Sequence, residues 1–364
     1  MNELTIGLLG ALLATNQPTA VSNVIQQQTG LSVPGAGDPV EQELRTLMIA
    51  DDWAITEVDG WISTNSIAPT NTVAKQEFNQ RIVARFGLVR KGYESFLRNH
   101  PDNAKGYLAY GSFLNETGDE EEARVQYENS KQLDPKNPAV WNNLANYYGE
   151  YSPVTNAFAY YAEAIKLNPS EPVYYQNFAT TVYLYRKDAR EFYNINEQQV
   201  FDKALGLYQQ AMRLSPDSLV LATDFAMSYY GIKPLRTNDA LVAWTNALHV
   251  AHDDVEREGV ELHLARTKIA AGYFDQARAQ LASVTNVVYA DLKNRLTRSL
   301  ADHEHPSTNV VEDVPMDNVA LPASKLTTAA TGLVPNPVAA TDTHVSVLAT
   351  NLLKMPAPVR EQKP

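Results

Sequence analysis

Between Asp134 and Tyr148 the chain reads DPKNPAVWNNLANYY. Proline closes one helix and opens the next, because its missing N–H is not needed in a first turn but breaks an interior one. Past the prolines, Trp141, Ala145 and Tyr148 recur at helical spacing, with a small residue between two aromatics. A small side chain lets a second helix approach closely, and the aromatics fill the gaps beside it. Trp141, Ala145, Ala157, Tyr161 and Pro169 each stand 34 residues after Tyr107, Gly111, Ala123, Tyr127 and Pro135. A third copy opens on schedule with Tyr175, Phe178, Ala179 and Val182, but Ala204, Tyr208, Ala211 and Pro216 arrive 13 residues late. Phe225, Ala226, Tyr229, Ala240, Trp244 and Ala247 form a fourth copy; Leu264, Ala265, Gly272, Tyr273, Phe274, Ala277 and Leu281 form a fifth. Each copy predicts a helix pair that cannot bury its own apolar face, so neighbours must stack.

The alternation of aromatic and small residues closed by Pro resembles the tetratricopeptide repeat (TPR) family, over about residues 104–285. The copies fall near 104–137, 138–171, 172–218 with its insertion, 219–254 and 258–290; the helix ending before Pro101 reads as the second half of an earlier, degenerate copy. Copies four and five depart from the pattern. No Pro closes copy four, and Lys268 stands where copies two and four have Tyr148 and Tyr229. The resemblance implies an all-α, TPR-type α-solenoid, a right-handed superhelix of antiparallel helix pairs with a concave groove. It also implies a non-enzymatic scaffold that binds an extended peptide or a partner helix in that groove.

Composition frames this body. All 4 Trp, 19 Tyr and 10 Phe of the 364 residues lie between Trp53 and Tyr289, so the core is central. The expected organisation is an N-terminal helical extension over 1–66, a solenoid over 67–302, and a tail over 303–364. Within the extension, Asp38 and Pro39 open a helix carrying Val40, Leu44, Leu47, Met48, Ile55 and Val58 on one face. A long helix from Val73 to Arg98 follows, with Gly87 or Gly92 as places where it could divide. Beyond His305 the chain holds 8 of its 20 Pro and no aromatic, a composition predicted to be disordered. At the other end Leu4, Leu8, Leu9, Leu12 and Leu13 make an apolar helix that could dock on a second copy, the alternative function being a self-associating assembly protein. Leu4 to Ala14 has the length of an export signal core, but Glu3 and no Lys or Arg precede it. The reading therefore places the chain in the cytoplasm, with export the alternative if residues 1–20 are an atypical signal.

A net charge of −12 argues against a nucleic-acid partner, which needs a basic face. Absence of Cys removes thiol catalysis, disulfides and thiolate metal sites. No apolar run reaches the ~18 residues of a membrane span. No phosphate loop, nucleophile elbow or zinc-protease motif is present, so no enzyme, cofactor or metal is expected. His249, His252 and Glu256 have ligand spacing, but acidic residues and His on a solvated helix end are the commoner meaning.

The TPR resemblance assigns the groove to recurring positions of each first helix. These hold Lys105 and Asn115 in copy one; Asn142, Asn143 and Asn146 in copy two; and Gln176, Asn177, Thr180 and Tyr183 in copy three. Copy four supplies Thr223, Asp224, Met227 and Tyr230, and copy five supplies His263, Arg266 and Ile269. Carboxamides both donate and accept, so a row of them could pair with the backbone of a peptide of any sequence. The same residues could instead bridge neighbouring helices. The clamp by which some TPR proteins hold a C-terminal carboxylate is not expected, because its Lys, Asn, Lys and Arg positions hold Leu108, Ser112, Val173 and Asn177, leaving only Asn143. The insertion, within Arg186 to Val200, adds Arg186, Arg190, Phe192 and Tyr193 as further recognition candidates, unless its aromatics pack on the neighbouring repeat.

Overall fold

The computed structural model describes residues 38–64, 72–151 and 153–305. The predicted apolar N-terminal helices and the tail beyond His305 lie outside these residues. Fourteen α-helices and no strand occur among the described residues, arranged as the stacked antiparallel pairs of a TPR-type α-solenoid. No described helix is long and apolar enough to cross a membrane. The chain divides into two compact units, with the boundary between Asp134 and Pro135.

The first unit holds α1 (Pro39–Thr64), α2 (Thr72–Asn99), α3 (Ala104–Glu116) and α4 (Glu120–Leu133). Asp38 caps α1 by accepting the Val40 N–H at 2.9 Å. α1 packs on α2 through Val58, Ile62 and Ile82, so the extension and the first long helix share one core. Gly92 does not divide α2, which runs unbroken; it lies where a Cβ would come within 2.7 Å of Leu47 on α1. Close approach, not flexibility, is its use. Copy one is the α3/α4 pair, where Gly111 packs against the Tyr127 ring and any larger side chain would collide at 2.6 Å. Inside this unit Asp51 is buried and accepts a hydrogen bond from Tyr93; burial pushes its carboxyl up to about 7, against that bond's opposing pull.

The second unit begins with α5 (Pro138–Tyr151) and α6 (Val154–Leu167), the pair of copy two. Copy three is α7 (Pro172–Leu184) with α9 (Glu197–Leu214), and the insertion between them folds as a short helix, α8 (Arg186–Tyr193). Asn194 ends α8 in the left-handed conformation (φ 52°), and an Asn196/Gln199 capping box starts α9. Copy four is α10 (Leu219–Ser228) with α11 (Thr237–His249); copy five is α12 (Asp254–Ala270) with α13 (Phe274–Ser283). Finally α14 (Ala290–Glu304) lays Leu296 and Leu300 on Leu262, Ala265 and Ile269 and closes the apolar end. Ala145, Ala157, Ala179, Ala204, Ala226 and Ala265 are fully buried, as the repeat spacing requires.

Two contacts explain why the recurring aromatic carries a polar atom. The Trp141 indole N–H donates to the Pro135 carbonyl at 2.8 Å, and the Tyr175 hydroxyl donates to the Pro169 carbonyl at 3.2 Å. The Trp141 ring meets Tyr160 of its own pair edge to face at 5.1 Å, and each donor engages a carbonyl in the turn before its own helix.

Candidate functional site

Within the second unit, α5, α7, α10 and α12 are the first helices of consecutive pairs, and their recurring positions carry a row of polar side chains. Asn142 is fully buried and Asn143 and Asn177 are each 2% exposed. Their carboxamides meet one another: Asn142 donates to Asn143 at 3.2 Å, and Asn177 donates to both Asn142 and Asn146, each at 3.2 Å. Tyr161 on α6 donates to the Asn146 oxygen at 2.8 Å and accepts from Thr181 at 3.2 Å. The bridging that the sequence left as an alternative is thus made by Asn177 with Asn142 and Asn146.

The next step up the stack repeats the pattern. Gln176 donates to Asp224 at 2.8 Å, linking α7 to α10. Tyr208 on α9 lies 2.8 Å from the Thr180 hydroxyl and also bonds Ser228, as Tyr161 bonds Thr181 one pair earlier. Asn142 and Asn177 are 35 residues apart, and Gln176 and Asp224 are 48 apart; the difference is the length of the insertion, which loops out without disturbing the register.

The third step uses aromatic rings. His263, 4% exposed, stacks on Trp244 with centroids 4.4 Å apart and planes 6° from parallel. The Tyr230 hydroxyl lies 3.0 Å from His263 Nδ1, and the Arg266 guanidinium sits 4.3 Å over the Tyr230 ring. Burial pushes the His263 imidazole down to about 4, and the Arg266 charge acts in the same direction. Burial raises the Tyr230 hydroxyl above the ordinary phenol range. This corner is therefore neutral apart from Arg266, which makes no ion pair among the described residues.

Other candidates are placed differently. Lys105 pairs with Glu41 and Asn115 is half-buried, both in the first unit. Tyr183 packs against the Gly231 backbone, where a Cβ would collide with its hydroxyl. Its carbonyl accepts from Arg186 at 2.9 Å. In the insertion, Phe192 and Tyr193 turn back onto Phe158 of α6 at 5.4 and 5.7 Å, and Lys203 lies 4.1 Å over Tyr193. Phe192 keeps 46% of its surface and Arg190 is exposed. His252 and Glu256 hydrogen-bond each other at 3.1 Å, His249 stays exposed, and no group of three metal-ligating side chains converges among the described residues.

The partners that sequence reasoning missed are Tyr161, Thr181, Tyr208, Ser228 and Trp244. All sit at repeat positions that read as packing. The available signal was chemical: a buried Tyr hydroxyl needs a partner, and residues 20 positions on, Thr181 and Ser228, could supply it.

No family model matches the chain, and no curated protein does. Among solved structures, the chain is similar to YrrB, described as a TPR protein with an unusual peptide-binding site, at 14% identity over 59% of this chain and 98% of that one (TM-score 0.42). It is similar to PilF of Pseudomonas aeruginosa at 15% identity over 68% and 98% (TM-score 0.44). TTC0263, a thermophilic TPR protein of Thermus thermophilus, is 20% identical over 55% and 100% (TM-score 0.39).

Proposed function

We propose that this chain is a non-enzymatic scaffold that holds an extended peptide of a partner protein along α5, α7, α10 and α12. The observation that carries the reading is the unbroken row of hydrogen-bonding side chains on four consecutive first helices, ending at Arg266. A buried carboxamide network stabilises a fold no better than apolar packing of the same shape, so stability alone does not call for it. Carboxamides that bond one another can exchange those bonds for a peptide's N–H and C=O groups at little net loss. Half-exposed Thr180, Met227, Tyr230 and Arg266 supply the outer layer that an arriving segment meets first.

The test separates the outer layer from the network. Proteins retained by the full-length chain are quantified beside Arg266→Ala and Asn177→Ala variants. Arg266→Ala removes no buried hydrogen bond, so retention should fall about tenfold, the loss of one charge-assisted contact, while the melting temperature holds. Asn177→Ala should lower both retention and stability. Retention unchanged by Arg266→Ala would remove α12 from the groove.

A further inference from the structure

A cavity of about 490 Å³ opens between α9 and α11, on the second helices of copies three and four. That volume falls in the range of sites that take a side chain or small ligand. Its apolar wall includes Phe225 and Tyr229, whose rings meet edge to face at 5.5 Å, and Val242, 69% exposed, stands among its lining. Gly206 also lines it, and a Cβ built there would meet nothing within 4 Å. No close helix approach explains this glycine in the interior of an 18-residue helix, where it weakens α9 by ~1 kcal/mol relative to Ala. What its missing side chain does leave is room.

The polar part is lopsided. Arg236 donates to Asp202 at 2.6 Å and to Gln198 at 2.8 Å, which neutralises one carboxylate and engages two of the guanidinium's five N–H groups. Asp239, also in the lining, makes no ion pair among the described residues. Two carboxylates against one guanidinium leave the cavity net negative. Burial raises the Tyr229 hydroxyl, and Asp239 and Asp202 add to that rise against Arg236.

We propose that this cavity is a second binding site, separate from the first-helix row, that takes an arginine or lysine side chain of a partner protein. The aliphatic stem lies on Phe225 and Tyr229, as long basic side chains do on apolar surface, and the cationic head reaches Asp239. An acidic side chain would meet the unpaired Asp239 charge instead. An isolated apolar side chain would gain nothing from that carboxylate, which is exposed to water.

Methyl NMR of the full-length chain tests this, with the blocked peptides Ala-Ala-Arg-Ala-Ala and Ala-Ala-Glu-Ala-Ala as probes and the methyl signals of Leu205, Val242 and Ala243 as readout. The arginine peptide should shift these signals saturably, with a dissociation constant in the millimolar range, and the glutamate peptide should not. Gly206→Leu fills the space and should abolish the response; Asp239→Asn should weaken it about tenfold. Melting temperatures report whether either variant has lost its fold. Neither substitution removes a buried contact, so neither should lower them, and the better helix former at position 206 should raise that variant's slightly. Equal response to both peptides overturns the proposal, as does arginine binding that survives Gly206→Leu. Loss with Gly206→Leu but not with Asp239→Asn would make the cavity a purely apolar subsite and overturn the basic-side-chain assignment. Because Arg266→Ala should leave this response unchanged, failure here and failure of the first-helix reading are distinguishable.

Discussion

The step from α5 to α7 and the step from α10 to α12 occupy corresponding places in the repeat, yet they are held by opposite chemistry. In the first, Asn142, Asn146 and Asn177 exchange neutral hydrogen bonds, each replaceable by another donor and acceptor. In the second, His263 of α12 stacks on Trp244 of α11, and the Tyr230 hydroxyl bonds His263 at both Nδ1 and the backbone carbonyl. The difference teaches that the repeat fixes where one pair meets the next, not what they meet with. Carboxamide bonds can be exchanged for those of another donor and acceptor. Stacked rings cannot, and they carry a titratable member that the carboxamide step lacks.

The largest contrast should come from Trp244→Ala. Trp244 is fully buried, and truncating such a side chain costs about 3–5 kcal/mol. A fall in melting temperature well beyond that of any Asn variant is expected, and a loss no larger than theirs would erase the distinction between the two steps. Next in size is the response to acid. His263 is held neutral in the fold down to about pH 4 but takes a proton near 6.5 when unfolded. Between those values the unfolded chain binds more protons, so stability falls as pH falls, by up to about 3 kcal/mol at the acid end. Thermal melts at pH 7 and pH 4.5 should show His263→Gln losing less stability than the native chain over that interval. The smallest effect belongs to the carboxamide step. Asn177→Ala should cost about 1–3 kcal/mol, because Asn142 and Asn146 each lose a buried donor. That cost should be the same at both pH values, since carboxamides do not titrate.

Much of the fold was legible because the 34-residue spacing of Ala, Gly and aromatic residues is a direct record of helix approach. Ala145, Ala157 and Ala179 are buried where that spacing puts them. The candidate site was legible only as a set of positions. Spacing shows that Asn143 and Asn177 face the same way. It does not show that neighbouring side chains on two helices lean together until they bond, which depends on interhelical distance. Tyr161 and Tyr208 were hidden for the opposite reason: their rings satisfy the packing pattern so well that their hydroxyls drew no notice. The insertion was visible as thirteen extra residues, but its sequence does not reveal that Phe192 and Tyr193 fold back onto Phe158. Asn194, directly after Tyr193, ends α8 in the left-handed conformation.

The hooks from Trp141 to the Pro135 carbonyl and from Tyr175 to the Pro169 carbonyl give the chain a direction in time. The turn that follows one pair is finished by an aromatic side chain belonging to the next. The turn after α6 has its own local bonds from Asn168 and Ser170, and during synthesis it gains the Tyr175 hook only once the next helix has emerged. Completion passes along the polypeptide in the order in which it is made.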